Sequence, residues 1–206
     1  MSKQKYFSFK HGFFAFIKSN MLLILIILVL VINKSEWRYD DGLGYVMMYL
    51  VFAEIFIVFL SFLACIKPYV GKDLEENKKE RNKEWLGFGI TFIALSIFSL
   101  LFLGANIPYP STLIFLILMT NFMVSLYSIV FHPVALGIYQ ANVFQEKITV
   151  MDYTFKYVAI FLSGINYYVQ MILLRLPLLV NKVIAIVFAF FLLWQWFGVI
   201  AIFDRF

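Results

Sequence analysis

Glu54 stands twelfth of the twenty-four residues in the apolar run from Leu43 to Ile66. A carboxylate at the centre of a bilayer costs about 2.5–3.5 kcal/mol on insertion scales, so it must be protonated, paired or wet. Amides occupy comparable depths in other apolar runs: Asn121, the pair Asn166 and Gln170, and Gln195. Asn166 and Gln170 are four apart and share a helix face, with Ser163 one turn before them. If these side chains converge, they form a midplane polar cluster of Glu54, Asn121, Asn166, Gln170 and Gln195. Such a cluster can be packing glue that fixes which helix faces which. Alternatively it takes a substrate, a proton or an ion. No second buried acid or base faces Glu54, so a proton relay would lack its other half.

Other reactive residue types are sparse. His11 and His132 are the two histidines, and His132 precedes Pro133, which removes a backbone donor and is expected to kink or end a helix there. Cys65 is the sole cysteine, which excludes an intrachain disulfide and a cysteine-based metal cluster. HEXXH, GXSXG, P-loop and dinucleotide-binding patterns are missing from the sequence. The expectation is a protein that is not an enzyme and has neither metal nor cofactor.

The elements that must position these residues follow from composition. Of 206 residues, 63% are hydrophobic and 14% charged, and the mean hydropathy is +0.89. A soluble domain of this size could not hide so much apolar surface, so the solvent is lipid. Crossing about 30 Å of hydrocarbon takes roughly 20 helical residues. Six runs are long enough: 14–32, 43–66, 86–105, 112–131, 153–174 and 178–203. They are continuously apolar rather than alternating, which predicts helices and not barrel strands. The predicted fold is all-α: a single integral membrane domain over 1–206, a polytopic bundle of about six transmembrane helices. Phe9, Phe13, Phe16 and Ile17 with Lys3, Lys5, Lys10 and Lys18 predict an interfacial amphipathic helix at the amino terminus.

Charge then orients the bundle. The net charge is +5, yet the basic residues sit at the edges of apolar runs, as lipid rather than nucleic acid would require. With six spans, thirteen Lys and Arg fall on one side and four (Lys34, Arg38, Arg175, Lys182) on the other. That asymmetry predicts a multi-pass cell-membrane protein with both termini cytoplasmic. The cytoplasmic segment 67–85 mixes both signs in Lys72, Asp73, Glu75, Glu76, Lys78, Lys79 and Arg81. It reads as a solvated linker or as a docking loop for a cytoplasmic partner.

The stretch Phe131-His-Pro-Val-Ala-Leu-Gly-Ile-Tyr-Gln-Ala-Asn and the segment Thr149–Phe161 resemble the YesL-like integral membrane proteins of Firmicutes. In that family a proline-bearing helix end leads through a polar turn to a helix that opens on a basic, aromatic sequence. The length, the basic aromatic start and the central charged loop fit as well, whereas Trp37–Gly44 departs from the usual end of the first hairpin. The resemblance implies a non-enzymatic accessory membrane subunit of a transport complex, with the permease subunits of a carbohydrate ABC importer as partners. The alternative is a stand-alone protein that binds or transports a small solute, similar to the six-helix substrate-binding components of vitamin importers. Those usually present small residues on the first helix, and Met21–Ile32 contains neither Ala nor Gly.

Overall fold

The computed structural model describes residues 7–38, 41–66 and 81–203. These residues form helices α1 (Phe9–Ile32), α2 (Gly42–Cys65), α3 (Arg81–Ser99), α4 (Ser111–Val130), α5 (His132–Phe144), α6 (Val150–Leu173) and α7 (Leu178–Phe203). A 3-10 segment, Leu100–Ala105, prolongs α3 until Asn106 ends it in the left-handed region at φ 59°. The all-α bundle is what lipid demands, because a helix satisfies its backbone polar groups internally. Among the described residues five helices are long and apolar enough to cross a membrane: α1, α2, α3 with its extension, α4 and α7. The chain is thus a multi-pass helical membrane protein.

Two antiparallel hairpins set the frame. In the first, the Ser8 N–H donates to the Cys65 carbonyl (2.8 Å) at the open end of α1 and α2. Trp37 Nε1 donates to the Leu30 carbonyl (3.1 Å) at the closed end. In the second, α3 and α4 meet near their turn, where Ser99 Oγ and Thr112 Oγ1 lie 3.2 Å apart. Asn33 joins the two closed ends, donating through Nδ2 to Ser111 Oγ (2.9 Å) and to the Pro108 carbonyl (3.1 Å). Helix α7 runs antiparallel to both α2 and α4. Lys182 near its start donates to the Ile129 carbonyl at the end of α4, and Ile202 at its finish accepts from the Arg38 N–H (2.9 Å).

Helix α6 departs from the expected sixth crossing. Its beginning lies beside the start of α3, where Lys83 donates to the Ile148 carbonyl (3.0 Å). Its last residue, Leu173, accepts from Asn181 Nδ2 (2.8 Å) at the start of α7. Both places belong to the open end of the hairpins, so α6 enters and leaves at the same end of the bundle. Between them it meets the middle of α4 at Phe161–Asn166. The predicted span 153–174 is therefore not a crossing, and Phe9 and Phe203 lie at opposite ends of the bundle. The physical reason is polarity: Asp152, Lys156, Ser163, Asn166 and Gln170 make a stripe down one face of α6. Such a stripe is costly against lipid and finds partners only among other helices. From Lys156 to Leu173 no residue of α6 is exposed.

Three further expectations meet the structure here. The amphipathic stretch leads straight into the first span, because α1 runs unbroken from Phe9, with Phe9 and Phe13 stacked and exposed on its first turns. At His132–Pro133 the chain breaks at Phe131 (φ −110°, ψ 47°) and starts α5, which packs along α6 instead of extending α4. Proline suits that first turn, where its missing N–H would have had no partner anyway. Lys72, Asp73, Glu75, Glu76, Lys78 and Lys79 lie outside the described residues, while Arg81 opens α3 in an exposed position.

Small residues allow the closest seams. A Cβ at Gly12 would overlap Cys65 Sγ and stand 2.6 Å from the Ser61 carbonyl, so α1 and α2 touch there. A Cβ at Gly87 would stand 2.9 Å from the Thr154 nitrogen, and one turn on Thr91 Oγ1 donates to the Thr154 carbonyl (3.0 Å). Close backbone approach of this kind is how membrane helices gain van der Waals contact.

Candidate functional site

The polar side chains singled out by the sequence divide into two groups, and Glu54 joins neither. The first group lies between α4 and α6. Asn121, fully buried, donates to the Phe161 carbonyl (3.0 Å) and accepts from the Asn166 N–H (3.1 Å). Asn166 Nδ2 donates to Ser128 Oγ (2.8 Å), and Gln170 Nε2 approaches Asn166 Oδ1 at 3.4 Å. Here side-chain amides bond to backbone and side-chain groups of the facing helix, and they hold the strongly polar α6 against the centre of the bundle.

The second group lies between α2 and α7. Gln195 is 2% exposed; its Nε2 approaches the Tyr49 carbonyl at 3.4 Å and its Oε1 has no hydrogen-bond partner. Glu54 is half-buried on α2 and makes no hydrogen bond or ion pair with any described residue. The inward face of α2 is formed by Tyr49, Ala53, Phe56 and Leu60, all buried. At 3.6 residues per turn, Glu54 is rotated about 100° from Ala53, off that face.

Gln195 lines a cavity of about 480 Å³ bordered by residues of α1, α2, α4, α5, α6 and α7. Its walls are mostly aliphatic and aromatic, including Leu23, Ile26, Phe56, Ile57, Ile117 and Phe188. Polar groups enter at few points: Lys18 and Ser19 from α1, Tyr49 and Gln195, and the tyrosines Tyr139, Tyr167 and Tyr168. The cavity is not sealed. Its rim includes the exposed side chains Lys18, Leu22 and Leu25, so it opens on the flank of the bundle beside α1. Volume, apolar walls and a few fixed polar groups are the attributes of a small-molecule site.

Sequence reasoning did not single out Lys18, Tyr49 or the three tyrosines as a group. Lys18 had a signal: it lies nine residues beyond the start of α1, more than two turns past Lys10. The tyrosines had none, because aromatic residues are spread over the whole chain.

At the open end of the bundle, His132 Nε2 is buried without a hydrogen-bond partner, and burial followed by the nearby Lys182 charge pushes the imidazole below its ordinary pKa. Asp152 caps α6 there. Its carboxylate accepts from the Thr149 N–H (2.8 Å) and the Ile148 N–H (3.1 Å), while the Asp152 N–H donates to Thr149 Oγ1 (3.2 Å). These bonds, the Thr149 backbone bond first, hold the carboxyl below the usual range. Among the described residues no group of three His, Cys, Asp or Glu side chains could hold a metal ion. Compared with family models, curated proteins and solved structures, the chain matches none.

Proposed function

We propose that this chain is a non-enzymatic membrane protein that binds a lipid-soluble small molecule in the cavity beside α1. One observation carries the reading: a cavity of about 480 Å³ with aliphatic and aromatic walls and a few polar groups, Lys18 and Gln195 among them, opens on the flank of the bundle beside α1. The lateral opening suits a ligand that arrives from the bilayer. Gly164 also lines the cavity, and a Cβ there would meet only Tyr139 Oη at 3.8 Å and Ile160 Cγ2 at 3.9 Å. Gly164→Val therefore adds bulk to the cavity without a backbone clash. The test is purification from native membranes into nanodiscs, followed by mass spectrometry of retained small molecules. A species held by the wild type and lost from Gly164→Val supports the reading. Identical small-molecule content in the two proteins overturns it.

The proposed setting is the cell membrane with the open end of the hairpins in the cytoplasm. With α6 returning to its own side, the basic residues divide fourteen to three, since Arg175 and Lys182 join the richer side and Arg205 leaves it. This is a sharper asymmetry than six spans would give, and the positive-inside rule then favours a cytoplasmic start and an outward end of α7.

A second reading, an accessory subunit beside the permease subunits of an ABC importer, is favoured by the outer stripe of α1. Met21, Ile24, Leu25, Leu28 and Ile32 are all more than half exposed. Such a stripe suits lipid or a partner helix equally, and the resemblance to the YesL-like proteins supports the partner. Mild-detergent purification that enriches a permease or an ATPase would favour it over the solitary protein.

A further inference from the structure

We infer that the ligand of this cavity is a single-chain amphiphile with a carboxylate head, seated with its head at Lys18 and its chain along the aliphatic wall of α1. The inference rests on the binding role proposed above and adds the chemical class. Lys18 is separated from Ile32, the end of α1, by fourteen residues, a rise of about 21 Å. With Ile32 at one face of a hydrocarbon core about 30 Å thick, the Lys18 backbone falls inside the core. An ammonium at such depth calls for a counter-charge or a wet path. Among the described residues Lys18 forms no ion pair and no carboxylate lines the cavity. The described walls leave a cation at the rim and supply no anion to meet it.

The shape selects among anions. Lys18, Leu22 and Ile26 follow one another along the cavity wall at helical spacing, covering about 12 Å of α1. Beyond Lys18 the wall on this side is aliphatic, which suits an acyl chain lying parallel to the helix. One lining cation matches one negative charge, and a cavity of about 480 Å³ suits one chain rather than a whole diacyl lipid. The carboxylate accepts a charge-assisted hydrogen bond from Lys18 Nζ, about twice as strong as a neutral one. An alcohol of the same chain length keeps the apolar contact and loses that bond.

The experiment measures equilibrium binding of radiolabelled dodecanoic acid and dodecanol to the full chain in nanodiscs of zwitterionic lipid, for the wild type, Lys18→Gln and Lys18→Arg. The expected result is that the wild type and Lys18→Arg prefer the acid, while Lys18→Gln binds the acid about tenfold more weakly and the alcohol as before. Lys18 is exposed at the rim, so neither substitution disturbs the core. Equal affinity for acid and alcohol in the wild type, or acid binding unchanged in Lys18→Gln, overturns the carboxylate assignment and leaves the cavity reading intact. If neither probe binds the wild type, the carboxylate assignment falls too; the small-molecule content of Gly164→Val then decides the cavity reading independently.

Discussion

The Arg38 N–H donates to the Ile202 carbonyl at 2.9 Å, tying the loop after α1 to the last turn of α7. Together with the Lys182–Ile129 contact at the other end of α7, this bond puts the start of α7 where α4 ends. Single cysteines in a Cys65→Ser background test the consequence. Cysteines at Leu178 and Ile148, both exposed, should share one accessibility, and one at Ser35 should have the opposite. A six-span arrangement pairs Leu178 with Ser35 instead. With the basic asymmetry of fourteen to three, a membrane-impermeant maleimide applied to intact cells should label Ser35→Cys and spare Leu178→Cys.

Lys156 Nζ lies 2.7 Å from Glu84 Oε1, which also accepts from Tyr157 Oη at 3.1 Å. This pair joins α6 to α3 at side chains only 18% and 21% exposed. Glu84→Gln and Lys156→Met should each lower stability, and the double variant should lose less than the sum. A coupling of about 0.5–1 kcal/mol is expected, as for a partly screened pair. Unfolding of the purified protein in mixed micelles measures it; zero coupling would mean that the tie contributes nothing.

Much of this fold was legible because continuous apolar runs such as Met21–Ile32 and Leu178–Phe203 have few alternatives to crossing lipid. The error lay in α6, where run length outweighed pattern. Asp152, Lys156, Ser163, Asn166 and Gln170 recur near helical spacing, and a polar stripe as long as the helix marks one that is enclosed by others. Glu54 was misplaced for the opposite reason. In α2 nearly every neighbour is apolar, so the sequence carries no periodic signal for which face turns inward. Asn121 and Asn166 stand out in the sequence as amides within apolar runs, and both are buried, but their mutual bond depends on α6 crossing α4 at its middle, which no local pattern specifies. The cavity is least legible of all, since it is a gap between helices far apart in sequence.

The Asp152 carboxylate sets a pH dependence at the start of α6. Its folded pKa is depressed by the bonds from Thr149 and Ile148, so its stabilising contribution is present above the unfolded value of about 3.9. It is lost as the pH falls through the lower, folded value. Exchange protection of the Ile148 and Thr149 amides, corrected for intrinsic rates, should therefore hold at neutral pH and fall in acid below about pH 4. Asp152→Asn should abolish the acid step. A step that survives in that variant would assign it to another group.

Asn121 and Glu54 should respond in opposite ways to apolar replacement. Asn121 is fully buried and bridges two backbone groups of α6, so Asn121→Leu leaves the Asn166 N–H without its side-chain acceptor and removes the donor to Phe161. Interhelical polar contacts in membranes average about 0.6 kcal/mol, and with two of them lost a cost of about 1–2 kcal/mol is expected. Glu54 is half-buried and makes no bond to any described residue, so Glu54→Leu removes a polar group from the bilayer interior and breaks nothing. Stability should stay level or rise. Steric-trap unfolding of both variants in bicelles gives the comparison directly. A Glu54→Leu loss as large as that of Asn121→Leu would show that Glu54 has a stabilising partner after all, and the division of the polar residues into two groups would then be wrong.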